Sequence, residues 1–187
     1  MKILPLKHTD LQAFLNFTNE FIGQNYYTTA SAEELILDSC DQGIESSYCL
    51  KDDNDNIFGI RLTLPPGKWT HQFKEDKISI QKWNYPKDQI AYFKSLFLHT
   101  DVQKKGWGKK LSLASIEALK KLNTKAIVAH SWKESPGNSS FKYLTSLGFQ
   151  PIYEHPLFWS EIDYICTKCG APPCQCTATE VIKYLSD

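Results

Sequence analysis

The sequence lacks an excess of charge of either sign. Its 187 residues include 21 lysine and arginine residues and 21 aspartate and glutamate residues, so the formal net charge is zero. Proteins that bind nucleic acids through the phosphates usually carry a basic excess. The balance therefore disfavours a nucleic-acid-binding protein, and no nucleic-acid partner is expected, although a local basic patch is compatible with it.

Long hydrophobic runs are also missing. No apolar stretch approaches the roughly 20 residues that a membrane-spanning helix needs. The first ten residues, MKILPLKHTD, contain a very short apolar segment that Pro5 interrupts, without the small-residue cleavage site of a secretory signal. From these two features we expect a cytoplasmic protein with no membrane partner.

What the sequence does contain is typical of a soluble globular domain, with 42% hydrophobic and 22% charged residues. A chain of this length can form one sizeable core. Strand patterns in QIAYFKSLFLHT, KAIVAH and FQPIYE alternate with two amphipathic helical patterns, the second of which is NSSFKYLTSLG. This alternation predicts α/β units on a mixed sheet.

The first half of the chain also has readable patterns. KILPLKH is typical of a short strand, and a helix is predicted after Thr9 or Asp10, which are both suitable N-caps. A second helix is predicted from Ser31, where Ser31 and Glu34 form a capping box, to Gly43. The stretch SSYCLKDDNDNIFGIRLTL predicts a hairpin with an Asp/Asn-rich turn.

Residues 65–88 form an irregular, aromatic-rich segment, PPGKWTHQFKEDKISIQKWNYPKD. The segment is long for a connection between two strands, and long loops inside a compact domain are usually functional or disordered. Its aromatic content favours a packed segment that either covers a substrate or shields a sheet edge. The sequence leaves both alternatives open.

The stretch DVQKKGWGKKL, residues 101–111, places lysines where a helix begins. The helix dipole favours acidic residues at an N-terminus, so these lysines are unfavourable unless an anion lies between them and the helix. Backbone N–H groups at a helix start lack intrahelical partners, and Gly106 and Gly108 let a phosphate approach them closely. The glycine spacing fits neither a Walker loop nor a dinucleotide fingerprint. A solvated, lysine-rich helix end is the alternative.

Together with the strand before it, this stretch resembles the acetyl-CoA-binding motif of the Gcn5-related N-acetyltransferases (the GNAT superfamily), with Gln103, Gly106 and Gly108 in the motif positions. The later stretch NSSFKYLTSLGFQPI is similar to the second CoA motif of that family, an Asn-led helix that ends in Leu-Gly-Phe. The resemblance covers roughly residues 2–159. It implies a GNAT-like α/β domain over residues 1–160, with a mixed, mostly antiparallel sheet flanked by helices.

The resemblance also implies a set of contacts with acetyl-CoA. The strand before the first motif would meet the pantetheine arm and the acetyl carbonyl, with the backbone N–H of Leu98 as the oxyanion donor, and amides of the motif would hold the pyrophosphate. Asn138 would contact the cofactor from the second motif, although its spacing from Gly148 is one residue shorter than the commonest form. The implied cofactor-binding residues are Leu96, Phe97, Leu98, Gln103, Lys104, Lys105, Gly106, Trp107, Gly108, Lys109 and Asn138.

Acetyl transfer to an amine requires a neutral amine and a proton for the leaving thiolate. The position of the tyrosine that usually supplies this proton in the family is occupied here by Leu144. The neighbouring Tyr143 is the candidate acid, and the alternatives are another side chain or protonation by solvent. His130 ends the strand before the second motif and is the candidate base, because a near-neutral imidazole suits proton transfer. A buried or capping histidine is the alternative. Two weaker candidates for the base are Glu134 and His99.

Six cysteines are present, and four of them are clustered near the C-terminus in CTKCGAPPCQC. Four thiolates at this spacing suit a tetrahedral Zn²⁺ ion, and disulfides are disfavoured in a reducing cytoplasm. An iron–sulfur cluster or another soft metal, a redox pair and free thiols are the alternatives. We expect residues 161–187 to be a small zinc-knuckle tail, in which structural zinc folds the segment ATEVIKYLSD because it is too short to be a stable helix alone. The predicted metal ligands are Cys166, Cys169, Cys174 and Cys176.

These inferences combine into one functional expectation. The chain is expected to transfer an acetyl group from acetyl-CoA to a primary amine of a small molecule, a peptide or a protein, as a monomer or a homodimer. The alternative is a CoA-binding sensor or interaction module of weak catalytic activity, which contacts a partner through the zinc tail. The absence of the usual tyrosine supports this alternative.

Overall fold

The computed structural model describes residues 1–23, 26–163 and 165–185. Within these ranges no helix is long and apolar enough to cross a membrane. The helices are α1 (Leu11–Phe21), α2 (Thr29–Asp38), α3 (Trp107–Lys120) and α4 (Ser139–Ser146). The strands are β1 (Lys2–Pro5), β2 (Cys40–Asp41), β3 (Ile44–Glu45), β4 (Tyr48–Lys51), β5 (Ile57–Leu64), β6 (Ile90–Leu98), β7 (Ala126–Trp132), β8 (Gln150–His155) and β9 (Ala178–Tyr184).

Seven strands form one sheet in the order β1-β4-β5-β6-β7-β9-β8, and β2 pairs with β3 in a separate hairpin. Every neighbouring pair in the large sheet is antiparallel except β6 and β7, which run parallel. The predicted α/β class with a mixed, mostly antiparallel sheet flanked by helices is therefore confirmed. The hairpin predicted around the Asp/Asn-rich turn is also confirmed, as β4 and β5.

Helices cover both faces of this sheet. The α1 face is covered by α1, α2 and part of the segment between β5 and β6, and its core includes Phe14 and Tyr92. The α3 face is covered by α3 and α4, and its core includes Phe93 and Leu119. Tyr92 and Phe93 enter different cores because successive side chains of a strand point to opposite faces.

The sheet splits between β6 and β7. These strands pair only over Ile90–Phe93 and Ala126–Ala129, and beyond this point the described pairing joins β6 to β5 alone. A β-bulge lies at the same level, because Lys94 has no partner on β5. We call the space between the unpaired halves of the two strands, residues 94–98 and 130–132, the opening.

The aromatic segment between β5 and β6 packs on the α1 face and contains several short 3₁₀ turns. The side chains of Trp69 and Trp83 are completely buried. The Trp69 Nε1–H donates to the Ile90 carbonyl at 2.8 Å, and the Trp83 Nε1–H donates to Glu180 Oε1 at 2.6 Å. The prediction of a packed segment is confirmed, but the alternative in which it shields a sheet edge is wrong, because it covers a face.

The predicted boundaries of the second helix are wrong. Thr28 is the N-cap, and its Oγ1 accepts a hydrogen bond from the Ser31 N–H at 3.1 Å while Ser31 Oγ accepts one from the Thr28 N–H at 3.0 Å. The capping box therefore begins three residues before the predicted one. The helix ends at Asp38, and Gly43 occupies the turn between β2 and β3 with a φ of 75°. Both pairs of short polar residues fit a cap, and the upstream pair adds a turn of helix.

The segment ATEVIKYLSD, which is expected to fold as part of the zinc-knuckle tail, contributes a strand to the large sheet. Its residues form β9, which lies between β7 and β8 and pairs with both. The β-branched residues of this segment favour a strand, and the adjacent Val181 and Ile182 are buried on opposite faces. The boundary expected at residue 160 therefore divides a single sheet, and the cysteines lie in a connection between two of its strands. Residues 186 and 187 lie outside the described residues.

Candidate active site

The start of α3 presents unpaired backbone amides. The helix begins directly after Gly106, whose φ of 79° is left-handed. The first helical hydrogen bond runs from the Lys110 N–H to the Gly106 carbonyl at 3.1 Å, so the N–H groups of Trp107, Gly108 and Lys109 have no partner within the helix. A Cβ built on Gly106 would meet no described atom within 4 Å. The space in front of these amides is open.

Lysines surround the same helix start. Lys104, Lys105, Lys109 and Lys110 are all exposed, and the Lys110 ammonium lies 4.4 Å from the centroid of the Trp107 ring. Positive side chains at the positive end of a helix dipole are stabilised when an anion binds between them and the amides. The structure therefore brings the predicted pyrophosphate-binding residues together at one open helix start.

The edge of β6 faces the opening with free backbone groups. The His99 N–H donates to the Phe58 carbonyl at 2.8 Å. This bond shows which residues of β6 form hydrogen bonds with β5, because every second residue of an antiparallel strand does so. In an antiparallel pair the intervening residues, Leu96 and Leu98, turn their N–H and C=O groups away from β5. The Leu98 carbonyl indeed accepts a hydrogen bond from Gln103 Nε2 at 3.0 Å. The predicted oxyanion donor, the Leu98 N–H, therefore points toward the opening.

Phe97 and Asn138 complete the predicted cofactor set. The Phe97 ring packs against the core of the α1 face, on the opposite side of β6 from Leu96 and Leu98. Asn138 is the N-cap of α4 with a left-handed φ of 52°, and its buried Oδ1 has no hydrogen-bond partner among the described residues. Because buried polar atoms are nearly always paired, this oxygen fits a hydrogen-bond donor of a ligand such as a pantetheine amide.

A hydroxyl network lies on the α3 face beside the opening. The Tyr143 hydroxyl donates to the Gly108 carbonyl at 2.8 Å and lies 2.7 Å from Ser112 Oγ. Ser112 Oγ accepts a hydrogen bond from Arg61 Nε at 3.0 Å. Leu144, which occupies the family's usual tyrosine position, is buried in the core. Tyr143 therefore turns its hydroxyl toward the first turn of α3.

His130 lies on the other face, directly after the last residue of β7 that pairs with β6. Its Nδ1 is 3.1 Å from the Tyr92 hydroxyl, and its ring stacks on Phe158 with 4.3 Å between the centroids. Burial lowers the pKa of His130 to about 3, against an ordinary value of 6.5, and the charge of Glu180 opposes this shift only partly. The imidazole is neutral at pH 7 and is a weaker base than expected. Its buried Nε2 has no partner in the described part of the chain.

A buried ion pair lies behind His130. His155 Nε2 is 2.7 Å from Glu180 Oε2, and His155 Nδ1 is 3.0 Å from the Asp76 carbonyl. Burial raises the pKa of Glu180, but hydrogen bonds from His155 and Trp83 and the nearby His130 outweigh this and leave its pKa lowered. The polar atoms of His130, His155 and Glu180 lie within 4.8 Å of one another. Protein groups already occupy both Glu180 oxygens, which favours a structural pair over a metal site.

The two weaker base candidates have structural partners. The Glu134 carboxylate accepts a hydrogen bond from the Thr177 N–H at 3.1 Å. His99 Nδ1 accepts one from the Asp101 N–H at 3.1 Å, and its ring contacts that of Phe21 at 4.6 Å. Both side chains therefore stabilise local structure.

The four C-terminal cysteines converge into what we call the cysteine cluster, Cys166, Cys169, Cys174 and Cys176. Their sulfur atoms lie within 4.8 Å of one another, with 3.8 Å between Cys166 and Cys176 and 3.5 Å between Cys169 and Cys176. Zn–S bonds of about 2.3 Å give a tetrahedron whose edges are about 3.8 Å. Cys166 and Gly170 exchange backbone hydrogen bonds of 2.9 and 2.8 Å in a knuckle-like turn. The cluster fits a tetrahedral metal ion.

The cysteine cluster adjoins the wall that holds His130. The Phe158 N–H donates to the Cys176 carbonyl at 3.1 Å, and the Phe158 ring stacks on His130. Trp132, at the end of β7, and Trp159 pack against the cluster. The cluster and the α1 side of the opening are therefore parts of one packed unit.

Several residues at this site are not predicted from the sequence. Arg61 lies within FGIRLTL and Glu180 within ATEVIKY, and a charge inside an apolar strand pattern can indicate a buried charge. Ser112, Tyr92 and Phe158 carry no comparable signal, because a serine in a helix or an aromatic residue in a strand is ordinary.

No protein-family model matches the sequence, and no curated protein sequence matches it. Solved structures, by contrast, match over nearly its whole length. The ribosomal-protein-S18-alanine N-acetyltransferase from Escherichia coli has a TM-score of 0.65 at 14% identity, over 100% of this chain and 94% of that one. A GCN5-related N-acetyltransferase from Kribbella flavida has a TM-score of 0.64 at 16% identity, over 98% and 97% of the two chains.

The third neighbour was solved with a ligand. Naa50 from Arabidopsis thaliana, in complex with the bisubstrate analogue CoA-Ac-MVNAL, has a TM-score of 0.65 at 14% identity, over 98% of both chains. All three structures are similar to this chain over nearly complete lengths, although the identities are only 14–16%. The chain therefore has the fold of the GCN5-related N-acetyltransferases.

Proposed function

We propose that the protein transfers an acetyl group from acetyl-CoA to a primary amine. The observation that carries the proposal is the opening, where β6 and β7 separate beside a helix start with unpaired amides. This arrangement gives a thioester a path between two strands and gives its pyrophosphate a helix N-terminus. CoA supplies the activated acetyl thioester, and the chain supplies orientation and charge stabilisation.

On the α3 face, the chain holds the donor. The amides of residues 107–109 and the surrounding lysines bind the pyrophosphate, and Asn138 Oδ1 accepts a hydrogen bond from the pantetheine arm. The Leu98 N–H stabilises the negative oxygen that forms when the amine attacks the carbonyl. Tyr143 gives a proton to the departing sulfur. The contact of Gln103 with the Leu98 carbonyl and that of Tyr143 with the Gly108 carbonyl support this assignment, as does the unpaired Asn138 Oδ1 among the described residues.

On the α1 face, His130 receives the amine. Its unpaired Nε2 accommodates a hydrogen bond with the acceptor, and the rings of Phe73 and Phe158 shield this contact from water. The low pKa of His130 makes it a poor acceptor for the proton of an ammonium group, whose pKa is about 10. The acceptor therefore loses its proton to solvent before it attacks, and the rate is expected to rise with pH up to the pKa of the acceptor itself.

The names of the neighbours support an amine acceptor. One is named as an alanine N-acetyltransferase of a ribosomal protein, and another was solved with a peptide-containing bisubstrate analogue. A peptide N-terminus and a small amine are both compatible with a surface formed by the rings of Phe73 and Phe158 beside the neutral imidazole of His130.

A thiol-release assay tests the proposal. Purified protein is incubated with acetyl-CoA and a panel of amines that includes peptides with different N-termini, and mass spectrometry identifies the acetylated nitrogen. We expect at least one acceptor to release CoA above the no-enzyme rate. A panel-wide absence of turnover, together with micromolar binding of acetyl-CoA, would instead support a CoA-binding module, which the buried Leu144 in the usual tyrosine position favours.

We further propose that the cysteine cluster binds one structural Zn²⁺ ion. The short distances between sulfur atoms and the knuckle-like turn support this, and the four thiols form no disulfide. Four protein ligands complete a tetrahedral site and leave no position for a substrate, which supports a structural role. The ion would fix the connection between β8 and β9 and, through Cys176, the position of Phe158.

Metal analysis of protein purified without chelator tests the zinc proposal. We expect one equivalent of zinc in the wild type and less than a tenth of an equivalent in Cys174→Ser. The matched control is Cys40→Ser, which removes a cysteine outside the cluster and is expected to keep the full equivalent. Iron in place of zinc, or a metal-free wild type, would overturn the proposal.

A further inference from the structure

We propose that Arg61 and Ser112 form, with Tyr143, a site for the sulfur of the leaving group, in which the Arg61 guanidinium stabilises the thiolate of CoA. The inference rests on the proposed function and adds to it a charged catalytic residue that acts beside the acid. It also predicts that bound CoA is held with its thiol close to a positive charge.

The burial of Arg61 requires an explanation. Arg61 is the only arginine in the sequence, and only 3% of its surface is exposed. No carboxylate of residues 1–23, 26–163 or 165–185 pairs with it. Its Nε donates to Ser112, and its guanidinium lies 4.4 Å from the centroid of the Phe93 ring and 5.9 Å from that of Tyr143. Burial lowers the pKa of Arg61, and the Tyr143 hydroxyl partly opposes this shift. A buried cation without an anion is costly, so a function is expected for it.

The position of the guanidinium points to that function. Phe93 is the last residue of β6 that pairs with β7, so a group above its ring lies at the closed end of the opening. This group lies on the α3 face, which is also the face of the helix start that binds the pyrophosphate. A thioester that reaches the opening from α3 therefore brings its sulfur toward Arg61, while the acceptor approaches from His130 on the other face.

The chemistry of the step requires positive charge at this point. The amine nitrogen forms a bond to the acetyl carbon, the carbon–sulfur bond breaks, and its electron pair leaves on the sulfur. The proton that the acceptor nitrogen loses goes to solvent. The Tyr143 hydroxyl gives its proton to the sulfur and regains one from solvent, through Ser112 or directly. Arg61 stabilises the negative charge before and during this transfer, when it is on sulfur or on the phenolic oxygen.

The test compares CoA with desulfo-CoA, which lacks the thiol, in calorimetric binding experiments from pH 6 to pH 10. A thiol of free pKa about 8.5 that is bound preferentially as thiolate makes CoA affinity rise with pH, whereas desulfo-CoA affinity does not change in the same way. We expect the ratio of the two affinities to increase about tenfold over this range in the wild type. In Arg61→Met the ratio is expected to stay constant.

Two further variants complete the experiment. Lys121→Met removes one exposed positive charge at the far end of α3 and is expected to keep the wild-type pH dependence of the affinity ratio. If Arg61→Met fails to fold, the same ratio is measured in Tyr143→Phe, which removes the hydroxyl of the network and keeps Arg61. A constant ratio in the folded wild type would overturn the inference and leave the proposed function intact. Loss of affinity for desulfo-CoA in Arg61→Met would also overturn it, because Arg61 would then bind the phosphates. Absence of CoA binding in the wild type would overturn the proposed function as well.

Discussion

The two faces of the opening are built in different ways. On the α3 face, most of the groups that suit a donor are backbone amides and exposed lysines from one continuous stretch between Leu96 and Lys110. Asn138, at the N-cap of α4, and Tyr143, within α4, join them. On the α1 face, the groups around His130 are aromatic rings and a buried ion pair. They come from segments that are far apart in sequence, at Phe73, Phe158 and Glu180.

The difference indicates which parts of the chain hold the groups of each face in position. Backbone amides at a helix start need only the helix itself and a residue such as Gly106 that accepts a left-handed φ. The side chains around His130 require three remote segments, at Phe73, Phe158 and Glu180, to be held at fixed positions. The cysteine cluster lies in the connection between the last two. Damage to the α3 face should therefore weaken the binding of the proposed donor alone, and loss of the proposed zinc ion should first weaken the binding of the proposed acceptor.

The largest effect is expected from Gly106→Asp. A negative charge in front of the α3 amides repels the pyrophosphate, so the affinity for CoA should fall about 100-fold, or about 2.7 kcal/mol. The matched control is Gly43→Asp, because Gly43 has a similar φ of 75° and an equally open Cβ position in the β2–β3 turn. Calorimetry and thermal melting compare the two. An equal loss of CoA affinity in both variants would show that strain, rather than charge at the helix start, is responsible.

A smaller and opposite pattern is expected from Cys174→Ser. Loss of the proposed zinc ion should release Phe158 from its fixed position beside His130. The KM for the proposed acceptor should then rise about tenfold while the affinity for CoA stays within about twofold. Steady-state kinetics and CoA binding are measured on the same samples. Phe158→Leu is expected to raise the acceptor KM in the same way with its zinc content unchanged, and Cys40→Ser should change neither quantity. If CoA affinity falls together with acceptor affinity, the two faces are not independent.

The last prediction concerns the pH dependence of stability rather than ligand binding, and it depends on the protonation of His130. Its pKa in the folded protein is about 3, below the value of 6.5 for an ordinary histidine, so the folded state binds this proton more weakly than the unfolded chain. The stabilisation is complete above pH 6.5 and is lost as the pH falls from there toward 3, by about 1.4 kcal/mol per unit at most. His130→Gln should therefore lose less stability than the wild type between pH 6.5 and pH 4.5 in denaturant titrations. His71→Gln, which replaces an exposed histidine, should lose as much stability as the wild type over this range. If the stability of His130→Gln falls with pH as steeply as that of the wild type, protonation of His130 is not the cause.

The candidate donor side of the site depends on residues that are close together in the sequence, and the candidate acceptor side does not. Glycines and lysines at a helix start give a local signal, because the amides, the turn and the charges are all within a few residues of one another. The role expected for His130 depended on its surroundings. Burial among Phe73, Phe158 and Tyr92 lowers its pKa. These rings are remote from His130 in the sequence, so the residues next to it do not predict them.

Arg61 and β9 show the same limit at the level of the fold. The strand run FGIRLTL contains a charge, but only the packing of α3 and α4 places the guanidinium beside Ser112 and the closed end of the opening. The segment ATEVIKYLSD is too short to be a stable helix alone, and the sequence therefore predicts that it depends on the cysteines for its fold. A partner strand on each side, contributed by β7 and β8, makes it an inner strand instead.

The sequence by itself determined the class of fold, the helix start that can bind a phosphate and the four thiols that can bind a metal. Each of these depends on residues that are close together along the chain, so local geometry and chemistry suffice. The tertiary structure decided where the sheet opens, which side chains meet at that opening and that the cysteine cluster supports one of its walls. These features depend on contacts between remote segments, and their energies arise only when the segments pack together.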